Sequence, residues 1–587
     1  MIFLLYDIDL KLLFYSLSEL SDEMYVLGIW DGHDCGAAIV EGNKVKVAVN
    51  EERFTRRKLE VGFPANSIKC CLNYLNLKPT DITDIAVTTT DFAKTLTRIF
   101  PGVKENYYLF RRRKMKKPKF VDLRRDIKYR ITEQNEKPLC KRITNWYFVK
   151  NLRKLGFDNF KLHFIEHHLA HCAAASYCSG FDKSLVITMD GVGDGLSGTV
   201  NIYEDGEIER ISETLAKDSI GIFFEQVTNL LGFRELEDEG KVMALSDFAY
   251  SVPDEENNLL KLFKVDGLQI KSNQTTASRY KMLNNMLWNT PREEFAYMAQ
   301  RVLEEKVVKL FENAIEKTGL WDVCWAGGVS SNIKANMRIK DLPHLKRWFV
   351  FPHMGDGGLA IGAALYLNFK LNGIKKCELN DIYFGPEYSD EEIETTLKEN
   401  KNKLNFEERN DISKYVGDYI SKNNFILWFQ GRMELGPRAL GNRSILAPAY
   451  SIEIKDKLNL QIKKRNWFQP FCPSLLKEEA EKIFSDVKGY DRFMTMGYRT
   501  KPEFRDRVKA VINIDGSARP QMLFDENPKY RVLIEQVKKN TGDGILLNTS
   551  FNLHGYPIVN TPKDAIEVML KTKAPCMGMG KFLIELK

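Results

Sequence analysis

Val45, Val47 and Val49 fall on every second position, the pattern of a strand with one buried face. This strand closes a longer unit, residues 25–52, YVLGIWDGHDCGAAIVEGNKVKVAVNEE. The unit reads as an apolar strand, Asp31-Gly32, a small-residue turn, a second strand, a Gly42-Asn43 turn and a third strand. Residues 184–212, SLVITMDGVGDGLSGTVNIYEDGEIERIS, repeat the order, with Asp190-Gly191 after the first strand and Asp205-Gly206 before the last. Two copies of one plan predict an internal duplication. In each copy a core strand ends in a carboxylate, and the glycines after it let the backbone turn close to a phosphate or metal. Two such lobes would form a cleft with an aspartate on each wall.

Two further glycine-rich stretches extend the pattern. DVCWA, 322–326, enters a Gly327-Gly328 turn, and Ser331-Asn332 is predicted to cap the following helix. A helix opening on such a turn offers backbone N–H groups to an anion. FPHMGDGGLAIGAALYL, 351–367, puts Asp356 at a turn before an apolar helix. Beyond Tyr366 apolar density falls and charge rises, which predicts a domain boundary near 375, with one domain at 24–375 and a second at 376–587. In the second, FILWFQGRMELGPRALGNRSILAPA, 425–449, carries Arg432, Arg438 and Arg443 on a glycine-shaped loop, an arrangement suited to phosphate. QIKKRNWFQPFCPSLL, NIDGSARPQM and GILLNTSFNLHGYPIVNTPKD follow. The last is a buried strand leading to Thr549 and Ser550, where α/β proteins build sites. The fold class is therefore α/β throughout.

Composition narrows the function classes. Of 587 residues, 44% are apolar and 28% charged, as in ordinary globular proteins. A net charge of +7 over this length does not imply nucleic acid. The basic segment FRRRKMKKPKF, 110–120, reads as a solvated insertion, with nucleic-acid contact as its alternative. Ten cysteines without a CxxC pair fit a reducing, cytoplasmic setting. No apolar run approaches the roughly 20 residues of a membrane span. Residues 1–23 lack the basic start of a signal peptide and read as an N-terminal extension.

Histidine is scarce, eight in the whole chain, yet His163, His167, His168 and His171 fall together. His167 and His171 are spaced i, i+4 and share one helix face. With Asp190 and Asp356 they would suit a catalytic Fe²⁺, Zn²⁺ or Mn²⁺ ion. His168 faces elsewhere and would orient a neighbour; His163 reads as structural.

HHLAH, TMDGVGDG, WAGGVSSN and GDGGLAIGAA, in that order, resemble the N-terminal half of the O-carbamoyltransferases of nodulation-factor and antibiotic biosynthesis. That half is itself similar to the tRNA threonylcarbamoyl-transfer proteins of the actin-like ATPase and sugar-kinase superfamily. The resemblance implies that His167, His171, Asp190 and Asp356 hold a metal, usually iron, and that His33 of GIWDGHDCGAAI is the general base. It also implies an adenylate site at Gly327, Gly328, Ser331, Asn332 and Lys241. GRMELGPRALGNRSILA and LLNTSFNLHGYPIVNTP match the same enzymes and imply a C-terminal YrdC-like α/β domain. There Arg438, Lys463, Arg519, Asn548 and Ser550 would bind carbamoyl phosphate and Mg²⁺-ATP. The chain departs from the family at Asn466, Gln469 and Asn513, which stand where an acid, an arginine and a histidine are usual, and in the LSDF loop after Ala244. The implied activity is carbamoyl-adenylate formation followed by transfer to a small-molecule hydroxyl. A tRNA-modifying transferase and a non-catalytic nucleotide-binding protein are the alternatives; a homodimer is left open.

Overall fold

The computed structural model describes residues 24–114, 121–134 and 138–587. The extension read at 1–23, and residues 115–120 of the basic segment, lie outside the described residues.

Strands β1 (Val26–Trp30), β2 (Gly36–Glu41), β3 (Lys44–Asn50), β4 (Asp84–Thr88) and β5 (Lys161–Ile165) form a sheet in the order β3-β2-β1-β4-β5. The first three strands meander antiparallel, while β4 and β5 add in parallel. Between β4 and β5 the chain builds helices α1 (Phe92–Ile99), α2 (Pro101–Arg111) and α3 (Val121–Thr132). A second sheet holds β6 (Lys183–Gly193), β7 (Leu196–Glu204) and β8 (Glu207–Leu215). After a hairpin of β9 (Phe263–Asp266) and β10 (Gln269–Ser272), β11 (Asp322–Ala326) and β12 (Arg347–Val350) complete it. Its order, β12-β11-β6-β7-β8, is again an antiparallel meander extended by two parallel strands. The duplication predicted from the two Asp-Gly units is thus present in the sheet topology.

Two helices lie between the sheets: α4 (His167–Cys178) and, after the short α5 (Ile333–Lys340), α6 (Leu359–Asn372). Their small side chains allow backbone-to-backbone approach. A Cβ on Gly362 of α6 would lie 1.9 Å from the Ala170 carbonyl oxygen of α4. A Cβ on Gly28 of β1 would lie 1.9 Å from the Ala360 oxygen of α6. Helix α4 begins at His167 because Glu166 caps it, accepting from Leu169 N at 2.7 Å.

The third sheet has eight strands: β13 (Leu404–Glu408), β14 (Ile426–Phe429), β15 (Arg443–Pro448), β16 (Cys472–Leu476), β19 (Gln521–Leu523), β20 (Ile545–Ser550), β21 (Cys576–Met579) and β22 (Phe582–Leu586). They run in the order β13-β22-β21-β14-β15-β20-β16-β19, and β17 (Tyr498–Arg499) pairs with β18 (Ser517–Ala518) apart from them. Separate apolar clusters hold Leu427 and Leu547 on one side and Ile426 and Leu546 on the other, as alternation along a doubly covered sheet requires.

Buried side-chain donors tie this sheet's surroundings to the duplicated part. Arg53 Nη2 donates to Gly436 O at 2.6 Å, and Asn336 Nδ2 donates to Thr495 O at 2.7 Å. Lys340 Nζ, fully buried, donates to Asp486 Oδ2 and Gly497 O, both at 2.9 Å. Two of the three loop arginines also spend donors on backbone carbonyls, Arg432 reaching the duplicated part at Lys46 and Arg443 staying within its own loop, which corrects the phosphate role expected of the whole loop. Arg432 donates to the Lys46, Phe384 and Gly385 carbonyls. Arg443 is buried, donates to the Gln430 and Gly431 carbonyls and stacks 3.6 Å from the Phe429 ring centroid. An irregular loop leaves carbonyls without backbone partners, and guanidinium groups satisfy them.

Candidate active site

His167 and His171 project from α4, Asp190 from β6 and Asp356 from the turn before α6. One ligand atom from each falls within 4.8 Å of the others. His167 Nε2 is 3.1 Å from Asp190 Oδ2 and 3.7 Å from Asp356 Oδ1; His171 Nε2 is 3.6 Å from each. Asp190 is not at the end of its strand, as the Asp-Gly motif predicts, but inside β6, where the ladder to β7 slips between Met189 and Gly193. That irregularity turns the carboxylate toward α4. Gly193 has to be glycine, because a Cβ there would lie 2.2 Å from His167 Cγ. Gly327, at φ +94°, passes where a Cβ would lie 2.1 Å from Met189 O, and Gly328 N then donates to Asp190 Oδ1 at 3.0 Å. Asp194 accepts from His167 N at 2.8 Å and fixes the start of the helix.

The cluster is buried and strongly polarised. Burial alone would lower the His167 imidazolium, but Asp356 and Asp190 outweigh it and push its pKa up to about 9. Burial raises the Asp190 carboxyl, and the hydrogen bonds and charges of His167 and His171 more than reverse this, holding it well below its usual range. His171 Nε2 and Asp356 Oδ1 are buried without a hydrogen-bond partner among the described residues. Two nitrogens and two carboxylate oxygens converging with unspent lone pairs fit a divalent transition ion. His168 hydrogen-bonds to Thr188 Oγ1 at 2.9 Å outside the cluster, and burial pushes its pKa down to about 3. His163 pairs with Asp84 at 2.7 Å.

His33 stands next to this centre, its Nε2 3.2 Å from Asp356 Oδ2, and is about 30% exposed. Trp30 Nε1 donates to the His33 carbonyl at 2.8 Å. Asp31 is held by Arg98 through two bonds of 2.9 Å, so this Asp-Gly carboxylate is structural while its counterpart, Asp190, joins the cluster. Behind His33, Asp34 Oδ2 lies 3.3 Å from His353 Nε2, which also lies 3.0 Å from Asn50 Oδ1. Burial, Arg53 and His171 push the His353 pKa down to about 3.

Arginines gather beside the third sheet without acidic partners among the described residues. Burial and the neighbouring Arg519 push Arg438 down to about 9; burial, only partly offset by Cys472, pushes Arg465 down to about 10. Among the described residues Arg438 Nε, Arg465 Nη2 and Arg519 Nε find no partner, and Arg519 Nη2 donates to Cys472 Sγ at 3.0 Å. Lys463 is buried, donates to the Ser550 carbonyl and to Asn552 Oδ1 (2.7 Å), and is held well below its ordinary pKa by burial and by Arg465. Asn548 Nδ2 donates to Ala439 O at 3.0 Å, holding the arginine loop against β20. Cations crowded without counter-charges are an arrangement suited to an anion.

One cavity of about 1110 Å³ joins the two regions. That exceeds the roughly 300–1,000 Å³ of single-ligand pockets. His33, His167, Asp190 and Asp356 line it, as do Lys241, Gly328, Ser331 and Asn332; so do Arg438, Arg519 and Ser550. Gly327, His171, Lys463 and Asn548 lie behind these. Asn332 caps α5 as predicted, accepting from Ala335 N at 3.1 Å, and Gln300 locks its amide. Lys241 is paired with Asp238 at 3.0 Å. Sequence reasoning passed over Arg465, although it lies two residues from Lys463, and over Lys94, Asp34 and His353. Of the departures, Asn466 is exposed and Gln469 lines the cavity beside the arginines. Asn513 donates to Asp247 of the LSDF loop, so two departures are partners across the cavity rim.

Family models match the chain in two parts, the carbamoyltransferase N-terminus over residues 25–365 and the carbamoyltransferase C-terminus over 417–586. An uncharacterized protein of Methanocaldococcus jannaschii is 34% identical, with 95% of this chain and 99% of that protein covered. Nodulation protein NolNO of Sinorhizobium fredii is 30% identical, with 94% and 79% covered. Among solved structures, T. kodakarensis HypF is 14% identical, covers 60% of this chain and 48% of its own, and has a TM-score of 0.34. No helix among the described residues is long and apolar enough to cross a membrane. With both family models matched in order, this chain belongs to the carbamoyltransferase family.

Proposed function

We propose that this protein is an ATP-dependent O-carbamoyltransferase with two stations in one cavity. Residues 376–587, a YrdC-like unit, release phosphate from carbamoyl phosphate with one water, and the carbamate so formed attacks the α-phosphorus of ATP, giving carbamoyl-adenylate and pyrophosphate. Residues 24–375, an actin-like unit, transfer the carbamoyl group to the hydroxyl of a small molecule and release AMP. The observation that carries this reading is the shared cavity, lined by the unpaired arginines and by His33 with the four-donor cluster.

Arg438 and Arg519 neutralise the phosphate oxygens of carbamoyl phosphate and ATP, and Ser550 orients the carbamoyl end; Lys463 and Asn548, behind the wall, hold Ser550 and the arginine loop in place. Gly328 N and Ser331 at the turn before α5, with Lys241, hold the adenylate. His167, His171, Asp190 and Asp356 hold a divalent ion, Fe²⁺ by analogy with the family, which as a Lewis acid would polarise the carbamoyl carbonyl. His33 Nε2 takes the proton of the acceptor hydroxyl as its oxygen attacks, and Asp356 beside it stabilises the imidazolium. Water exclusion matters because a mixed anhydride hydrolyses readily.

The test uses the purified enzyme. Pyrophosphate should appear only when ATP and carbamoyl phosphate are both present, and the protein should contain about one transition ion per chain by mass spectrometry. Pyrophosphate release from ATP alone, or none with both substrates, overturns the reading.

A further inference from the structure

Lys94, in the first turn of α1, differs from the other cavity-lining lysines whose partners are carboxylates. Lys241 pairs with Asp238 at 3.0 Å, Lys58 lies 4.0 Å from Glu237, and Lys334 pairs with Asp247. Among the described residues no carboxylate lies within ion-pair distance of the Lys94 ammonium. Asp31 is taken by Arg98, and Asp91 caps α1 by accepting from the backbone N–H of Lys94 at 2.6 Å. The Lys94 ammonium instead lies 4.1 Å from the Trp30 ring centroid. It also presses against Gly32, where a Cβ would come within 2.5 Å of Nζ. Gly32 immediately precedes His33, and the same indole meets the His167 ring at 5.8 Å between centroids. Trp30 therefore fixes this cation, the candidate base and a cluster histidine around one ring.

A cation–π contact offsets only about 0.5–2 kcal/mol of what a buried charge loses in leaving water. An ammonium held this way beside a reacting centre calls for an anion from outside the chain. The nucleotide side reaches the cluster elsewhere, through Gly328 and Asp190. Past Lys94 the cavity wall is α1–α3, with Leu96, Val103, Phe110, Ile127 and Ile131 lining it. Val103 is 63% and Ile127 48% exposed, so this wall presents apolar surface that no other described residue covers.

We propose that Lys94 anchors the acceptor, and that the acceptor is an anionic amphiphile: a hydroxylated molecule whose carboxylate pairs with the Lys94 ammonium and whose apolar body lies on the α1–α3 wall. The word acceptor rests on the function proposed above; the anion-plus-apolar binding site does not.

Octanoate, with octanol as its neutral counterpart, serves as the probe, and calorimetry on the full-length protein reads binding. Octanoate should bind the wild type and Lys94→Arg, and bind Lys94→Met about 10- to 100-fold more weakly, the effect of losing one charged hydrogen-bond partner. Octanol binding should be the same in all three, which also shows that the variant is folded. Should Lys94→Met not fold, Lys94→Gln gives the same readout. No octanoate binding to the wild type, equal octanoate binding to Lys94→Met, or parallel loss of octanol by a variant that unfolds thermally like the wild type overturns the proposal. Pyrophosphate release by the wild type is measured alongside. Its absence with the octanoate result intact would sink the transferase reading and leave the Lys94 site standing.

Discussion

Replacing Gly362 by alanine adds one methyl group at the contact between α4 and α6, and its consequences can be worked out. The new Cβ would lie 1.9 Å from Ala170 O, 2.8 Å from Ala170 C and 3.2 Å from the Ala174 Cβ. An ordinary carbon–oxygen contact needs about 3.4 Å, so the helices must part locally by about 1.5 Å. Alanine's better helix propensity would return about 1 kcal/mol. Overpacking of a close-packed interface costs about 1–3 kcal/mol, and backbone atoms cannot rotate away as a side chain could, so the steric effect wins. The shift acts directly on the cluster, since His171 follows Ala170 on α4 and Asp356 lies just before α6. Their 3.6 Å separation would widen toward about 5 Å, beyond what a set of ligands tolerant to about 0.2 Å can bridge. Metal content and thermal unfolding are the assays. Gly102→Ala is the control, because no described residue lies within 4 Å of its Cβ position. We expect Gly362→Ala to lose most of its metal and to unfold at lower temperature, with Gly102→Ala unchanged in metal. Wild-type metal content and stability in Gly362→Ala would refute the close-approach argument.

Lys463→Met should abolish pyrophosphate release while leaving metal content at the wild-type level; loss of metal as well would show that the two regions are not separable. Gln469→Arg adds a cation among Arg438, Arg465 and Arg519, and by equilibrium binding should tighten carbamoyl phosphate by about 10- to 100-fold; weaker binding would mean that the present arginines already saturate the phosphate. The neutral imidazole of His353, with its pKa depressed to about 3, is the folded form, whereas the unfolded chain takes up a proton near 6.5. Its contribution is therefore full above pH 6.5 and lost as pH falls toward 3, at up to about 1.4 kcal/mol per pH unit. Denaturant titrations between pH 6.5 and 4.5 should show a shallower decline for His353→Gln, and an unchanged slope would contradict the burial of that ring.

The four-donor cluster could be read from the chain because its information is local. The i, i+4 histidines, the Asp-Gly after an apolar strand and the glycine-rich turn before a small-residue helix each depend on neighbours within a few residues. The repeated sheet was equally visible, since it rests on strand periodicity. What escaped is long-range. Arg432 and Arg443 look like Arg438 in sequence, and only the carbonyls of Phe384 and Gln430 separate structural guanidiniums from a cavity-facing one. Lys94 looks like any helix-surface lysine until β1 brings Trp30 beneath it. The eight-stranded order of the third sheet joins segments far apart in the chain, which no local pattern encodes.

The carbonyl-bound cations joining the third sheet to the duplicated part bear on whether the two parts can be produced apart. Lys340 and Arg53 spend their donors on backbone oxygens of Asp486, Gly497 and Gly436, acceptors that an isolated half would lack. Splitting the gene would leave each product with exposed, unmatched polar groups at its seam. Made separately, each half would have to leave this seam to water, so the two parts should be most soluble and best ordered when expressed together.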